Sequence, residues 1–436
     1  MRPLALLNAR LIDPASGRDE RGGVLVREGR IADLGPHIRA EALAPDVASI
    51  DAKGAVLAPG LVDVRVRLGE PGAEHKERID SAVKAAAAGG ITSLCALPDS
   101  EPPIDDPAMV EFVARRARKL KSVKVHPYAA LTRGCRGEQL AELGLLVRAG
   151  AVALGDGDRA VGNARLMYRA LQYATAFDAL VVQHPLEPSL AEGGVMHEGE
   201  TAIRLGLPGI PRAAEIILIE RDLRLVEATG ARYHAAHIST REAVAAVRRA
   251  KERGLRVSAD VTPHHLLLTE AEVEGYRTYA KVSPPLRTEE DRQALVAGLA
   301  DGTIDAIASD HHPQDQESKR LPFVQAAFGV VGLETLLPAA LELVHRGRID
   351  LIALLSCLTE RPARLFGLEA GRLETGRPAD LVLFDPERSF RVTEAGLRSL
   401  SKNTPFEGRT FRGRVLLTLV DGRVVHRDEG VDLGPI

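Results

Sequence analysis

Residues 61–67 read LVDVRVR, a regular alternation of apolar and charged side chains. A strand sends successive side chains to opposite faces, so Asp63, Arg65 and Arg67 share one face and Val62, Val64 and Val66 the other. Further apolar strands are predicted at 91–98, 123–131, 151–156, 179–184, 232–238, 256–261 and 305–310. Alanine-rich helical segments lie between them, such as 78–89, 163–175 and 241–253. Eight strands alternating with helices predict an α/β fold, a (β/α)8 TIM barrel. A doubly wound sheet fits the alternation too. The barrel is preferred because chemically distinctive residues close several different strands, as they do at the catalytic face of such barrels.

Working outward, both ends of the chain read as β structure. At the start, 4–12, 23–27 and 30–34 are strand-like, with Glu28-Gly29 as a turn. At the end, 380–384, 415–420 and 423–426 are strand-like, with Asp421-Gly422 as a hairpin turn. The organisation predicted is a β-sandwich domain assembled from 1–55 and 370–436 around a barrel at 56–369.

The chain has 436 residues and a formal net charge of −3, which argues against nucleic acid or an anionic membrane as the main partner. Cys95, Cys135 and Cys357 show no CxxC spacing and read as small buried hydrophobes in a reducing compartment. The N-terminus lacks the apolar run of a signal peptide, and no stretch approaches membrane-spanning length, so a cytoplasmic location is expected.

The strand ends carry the chemistry. Strand four closes Gly155-Asp156-Gly157-Asp158, strand five Val182-Gln183-His184, and strand six His234-Ala235-Ala236-His237. Strand seven runs into Thr262-Pro263-His264-His265, and strand eight ends Ser309-Asp310-His311-His312-Pro313. His184, His237 and Asp310 close three strands of one barrel and together make a metal-ligand set. His264 and His265 each read as hydrogen-bonded structural residues, His311 and His312 as solvated loop residues, and Asp158 as exposed. No P-loop, no GxGxxG after a strand, no GxSxG and no HExxH is present, which counts against nucleotide, dinucleotide and serine-hydrolase chemistry.

At these residues the chain resembles the dihydroorotase family of the amidohydrolase superfamily. The matching stretches are LAPGLVDVRVRLGEPG at 57–72, LPDSEPPIDDP at 97–107, EPSLAEGGVMHEG at 187–199, VTPHHLLLT at 261–269, SPPLRTEEDR at 283–292, DGTIDAIASDHHP at 301–313 and GLETLLP at 332–338. The resemblance spans nearly the whole chain. It implies the barrel with a β-sandwich, a place in pyrimidine biosynthesis, and one or two zinc ions. The family holds them with a His-x-His pair on the first strand, a bridging carboxylate or carboxylated lysine, two more histidines and an aspartate. His184, His237 and Asp310 match, and Asp156 matches the bridging group. Arg65 and Arg67 stand where the His-x-His pair would be, and arginine has no free lone pair for a metal. At most one zinc is therefore expected, and none if the site is inactive. The substrate positions differ as well: Gly69 replaces an arginine, Asp99 an asparagine, Gln314 a histidine and Ser283 an asparagine.

Charge balance predicts that Arg65 and Arg67 pair with Asp156 and Asp310 in place of metal. The resemblance then implies a catalytically impaired or inactive homologue that acts as an assembly partner of aspartate carbamoyltransferase, in an oligomer. The alternative is an active one-zinc cyclic amidohydrolase. In it His184, His237 and Asp156 hold the ion and Asp310 is the general base. Its substrate is a small cyclic amide, either dihydroorotate or a hydantoin-like ring.

Overall fold

The computed structural model describes residues 2–433. Its centre is a parallel barrel. Strand one (Leu61–Val66) pairs with strand two (Ile91–Ala96), which pairs with strand three (Lys124–Pro127). Strand five (Leu180–Gln183) pairs with strand six (Arg232–Ala235), then strand seven (Val257–Val261), then strand eight (Ala306–Ile307). A parallel bridge between Val66 and His311 closes the circuit.

Strand four is shorter than the 151–156 predicted from sequence. Only Leu154 bridges, to Ala129 on one side and Val181 on the other. Glycines at 150, 155 and 157 flank this short run, and glycine weakens a strand interior. The ladder is still complete in hydrogen bonds, since Leu154 N donates to Leu180 O at 2.9 Å and Val182 N to Leu154 O at 2.8 Å.

The helices between strands begin where the sequence supplies caps. Asp106 accepts from Ala108 N ahead of the helix Pro107–Lys119. Asn163 caps Ala164–Thr175 and Thr240 caps Arg241–Glu252 in the same way. Their buried faces, such as Val244, Val247 and Ala250, pack on the barrel in one large apolar core.

An eight-stranded sheet joins both ends of the chain. It runs Arg423–Arg427, Thr410–Val420, Leu381–Arg391, Val56–Pro59, Leu4–Asp13, Arg18–Arg27 and Arg30–Gly35, with Ala48–Asp51 beside Leu4–Asp13. Its own core contains Leu6, Leu11, Ile50, Leu381, Leu383 and Leu417. The two hairpin turns have left-handed pairs, Glu28-Gly29 at φ 51 and 79 and Asp421-Gly422 at φ 47 and 70. That geometry suits the twist of the strands they join. The fold is thus the α/β barrel with a β-sandwich from both termini. All three cysteines are buried and unbridged. No helix among the described residues is long and apolar enough to cross a membrane.

One loop beside the barrel mouth is held by buried lysines. Lys281 donates to the carbonyls of Phe323 at 2.8 Å, Val324 at 3.0 Å and Ala326 at 2.7 Å, and its ammonium lies 4.6 Å from the centre of the Phe328 ring. Lys319 donates to Thr278 O at 3.0 Å and Ala327 O at 2.7 Å. Lys281→Met leaves three carbonyls without their donor. Amide exchange across 321–328 is then expected to quicken by at least about tenfold, since each lost bond costs on the order of 1 kcal/mol or more. Unchanged exchange in that loop would show that the lysine does not hold it.

Candidate functional site: a guanidinium–carboxylate cluster at the barrel mouth

The charged side chains of strand one, Asp63, Arg65 and Arg67, point into the barrel. Asp63 accepts from Ser309 N at 3.0 Å and so ties strand one to strand eight. Burial pushes its carboxyl up to about 6. Arg65 is almost wholly buried. Its Nε donates to Asp310 Oδ1 at 2.8 Å, and its Nη2 to Asp158 Oδ1 and to Gly157 O at 3.3 Å. Arg67 lies one pleat higher. It donates to Asp158 Oδ2 at 2.8 Å and to both oxygens of Asp99. Its Nη1 also stands 2.9 Å from His312 Nδ1. Two cations and three carboxylates therefore close on one another, with Asp158 bridging the arginines.

The expected pairing with Asp310 is present; the expected pairing with Asp156 is not. Asp156 accepts from Leu131 N and Thr132 N, both at 2.9 Å, and from the Thr132 hydroxyl. It anchors the loop after strand three, and burial pushes it up to about 6. Asp156, expected as a metal ligand, is engaged by these three donors, and the carboxylate that stands with His184 and His237 is Asp158. Asp158, expected to be exposed, is the residue at the centre, and its side chain is only 21% exposed. The reason is Gly157, whose φ of +67 turns the chain inward. A Cβ there would stand 2.2 Å from the Asp99 carboxylate, so only glycine fits. The two arginines hold Asp158 well below the usual carboxylate range against the pull of burial. Burial outweighs Arg65 at Asp310, whose carboxyl is pushed up to about 7.

The histidines sit on the other side of Asp158. His184 Nδ1 lies 3.1 Å from His237 Nε2, and His237 Nδ1 is buried without a partner. His237 and Asp310 are non-glycine residues at φ 35 and 48, backbone strain of the kind that gathers at functional sites. His237 N donates to Asp260 Oδ1 at 2.8 Å, and His234 Nε2 lies 2.7 Å from the other oxygen of Asp260. His265 is a structural residue as expected, between Thr262 Oγ1 at 2.8 Å and Pro284 O at 3.0 Å. His264 differs, since its Nε2 is buried without a partner. His311 and His312 are not solvated loop residues. His311 is buried 3.4 Å from Glu77, and His312 stands 3.3 Å from Asp158. Both follow from the bridge between His311 and Val66, which draws the end of strand eight into the barrel.

Burial lowers His184 to about 4 and holds His237 well below its ordinary value, and the Arg65 charge adds to both. Their folded values lie below the ordinary histidine value near 6.5. Each therefore withdraws stability as pH falls from about 6.5 towards 4, because the unfolded chain binds the proton first. The imidazole resonances of His184 and His237 are expected to stay in the neutral form from pH 7.5 to 5.5. A titration midpoint near 6.5 for either ring would contradict this environment.

The substrate positions are equally changed. Gly69 has φ +69, and a Cβ there would stand 2.3 Å from Glu77 O, so this backbone has no room for an arginine. Asp99 supplies the carboxylate that Arg67 needs. Gln314 accepts from Lys76 Nζ at 2.8 Å and donates to Phe328 O at 2.8 Å. Ser283 lines the mouth. A cavity of about 680 Å³ remains above the cluster, walled by Arg67, Asp99, Arg136, Asp158, Arg159 and Phe328 among others.

Asp158, His184 and His237 form a possible metal-binding group, with one ligand atom from each lying within 4.8 Å of the others. The histidines suit a divalent cation: they are neutral, and one has a free buried nitrogen. Asp158 does not, because both its oxygens already hold guanidiniums. As arranged, the group does not fit a resident ion.

The fold and this mouth define an amidohydrolase-type barrel. The L-hydantoinase of Arthrobacter aurescens superimposes with a TM-score of 0.86 at 28% identity, covering 98% of this chain and 96% of that one. A dihydropyrimidinase from Brevibacillus agri gives 0.81 at 22% identity, a likeness of fold. Residues 54–243 match the dihydro-orotase-like family and residues 227–426 an amidohydrolase family. A dihydroorotase of Syntrophotalea carbinolica is 44% identical over 97% of this chain and 99% of its own length. One from Anaplasma phagocytophilum is 44% identical over 98% and 96%. The chain belongs to the dihydroorotase family.

Proposed function

We propose that this chain is a dihydroorotase homologue without turnover of its own, acting as an assembly partner of aspartate carbamoyltransferase. One observation carries the loss of turnover: Arg65 and Arg67 hold Asp158 and Asp310, the carboxylates a metal or a general base would need. Arg65 holds Oδ1 of Asp310, the candidate base. The substitutions also fit one another, since a cation on strand one meets a carboxylate at 99. Mutual compensation of this kind supports a barrel that is kept for its structure.

The partner is tested by mixing the purified chain with aspartate carbamoyltransferase from the same organism and measuring mass by light scattering. A stoichiometric complex is expected. Two species that remain separate at micromolar concentration would refute the partnership.

A second reading, a one-zinc cyclic amidohydrolase, has the group Asp158, His184 and His237 in its favour. Zinc there would supply a Lewis acid. The reading requires both arginines to release Asp158.

A further inference from the structure

A second cavity lies at the opposite, N-terminal face of the barrel, away from the guanidinium cluster. Its volume is about 540 Å³, within the usual range for small-molecule sites. The stretch 114–127, residues 149–150 and the hairpin at 420–423 enclose it. The helix Pro107–Lys119 and the turn after it supply Arg118 and Lys121. Strand three supplies Lys124 and His126, and the hairpin of the β-sandwich supplies Asp421 and Arg423.

Charge is unequal there. Lys124 donates to Asp380 and reaches Asp421, at 2.7 and 2.8 Å, so those two carboxylates are already committed. Among the described residues, no carboxylate pairs with Arg118, Lys121 or Arg423. A basic residue in the last turn of a helix is by itself an ordinary complement to the helix dipole, which accounts for Arg118 alone. It does not account for Lys121, which follows the helix, or for Arg423, which arrives on a hairpin some 300 residues later. Ala114, Ala117, Val123, Val125, Pro127 and Val420 add an apolar stretch of wall.

We infer that this cavity binds a phosphate-bearing small molecule of nucleotide size, with its phosphates among Arg118, Lys121 and Arg423 and its less polar part against the valine and alanine wall. Several unpaired cations around a hollow favour a multiply charged anion over a single carboxylate. The occupant touches both the barrel and the sandwich, so its binding strengthens the contact between them. The site is independent of the barrel mouth and of the proposed lack of turnover.

Calorimetric titration of the whole protein with ATP, and separately with inorganic tripolyphosphate, tests the site. One saturable site per chain is expected for at least one of the two, weakening with added salt. The double variant Arg118→Glu, Lys121→Glu should weaken it by at least about tenfold, or about 1.4 kcal/mol. Both side chains are exposed, and an unchanged melting temperature confirms that the fold is intact. Arg423→Glu is a second, separate variant with the same expectation. Arg67→Lys, at the barrel mouth, should leave binding unchanged. No saturable binding of either probe up to about 1 mM, or binding that survives both charge reversals, would overturn the inference. So would binding abolished by Arg67→Lys, which would place the anion at the barrel mouth.

Discussion

Arg65→Ala is expected to destabilise the protein by about 3–5 kcal/mol, the cost typical of breaking a buried ion pair from one side. The guanidinium is almost wholly buried between Asp158 and Asp310. Removing it leaves buried Asp310 without its paired cation, and leaves one oxygen of Asp158 without its donor. The same calculation applied to a surface pair gives less than about 1 kcal/mol. Urea unfolding distinguishes these results easily. A double variant, Arg65→Ala with Asp310→Asn, should regain part of the loss, because the orphaned charge goes with it. The coupling between the two sites is then the measure of their pairing. A loss for Arg65→Ala below about 1 kcal/mol would mean that the cluster is not what balances the barrel mouth.

Replacing both arginines by histidine is expected to create zinc binding. A divalent ion on Asp158, His184 and His237 would stand close to two guanidiniums. At a separation of roughly 5 Å and an effective dielectric near 20, each repels it by several kcal/mol. Arg65→His with Arg67→His removes both repulsions, frees the Asp158 oxygens and adds two imidazole donors. Zinc affinity should rise by at least about a hundredfold, read by competition with a chromogenic chelator. Equal zinc affinity in the double variant and the native protein would show that the arginines do not block the site.

The sequence made the scaffold legible because barrel periodicity, helix caps and hairpin turns are local signals. The alternation at 61–67 placed Arg65 and Arg67 on the inward face, and that is where they are. Asp158 was not legible. Its role depends on Gly157 turning left-handed at the end of strand four, and Asp156, two residues earlier, looked the better ligand. His312 was missed for a similar reason, since the chain beyond strand eight continues along the barrel wall through the bridge at His311. Asp99 was seen as a departure from the family pattern; its contact with Arg67 shows the two changes to be one. That contact spans 32 residues and two strands, and no local pattern announces it.

The most direct test of the central claim is zinc content and dihydroorotate turnover on one purified sample of the native protein, with and without aspartate carbamoyltransferase. The account predicts far less than one zinc per chain and no turnover in either case. About one zinc per chain together with turnover would contradict it, and would mean that Arg65 and Arg67 yield Asp158 to the metal.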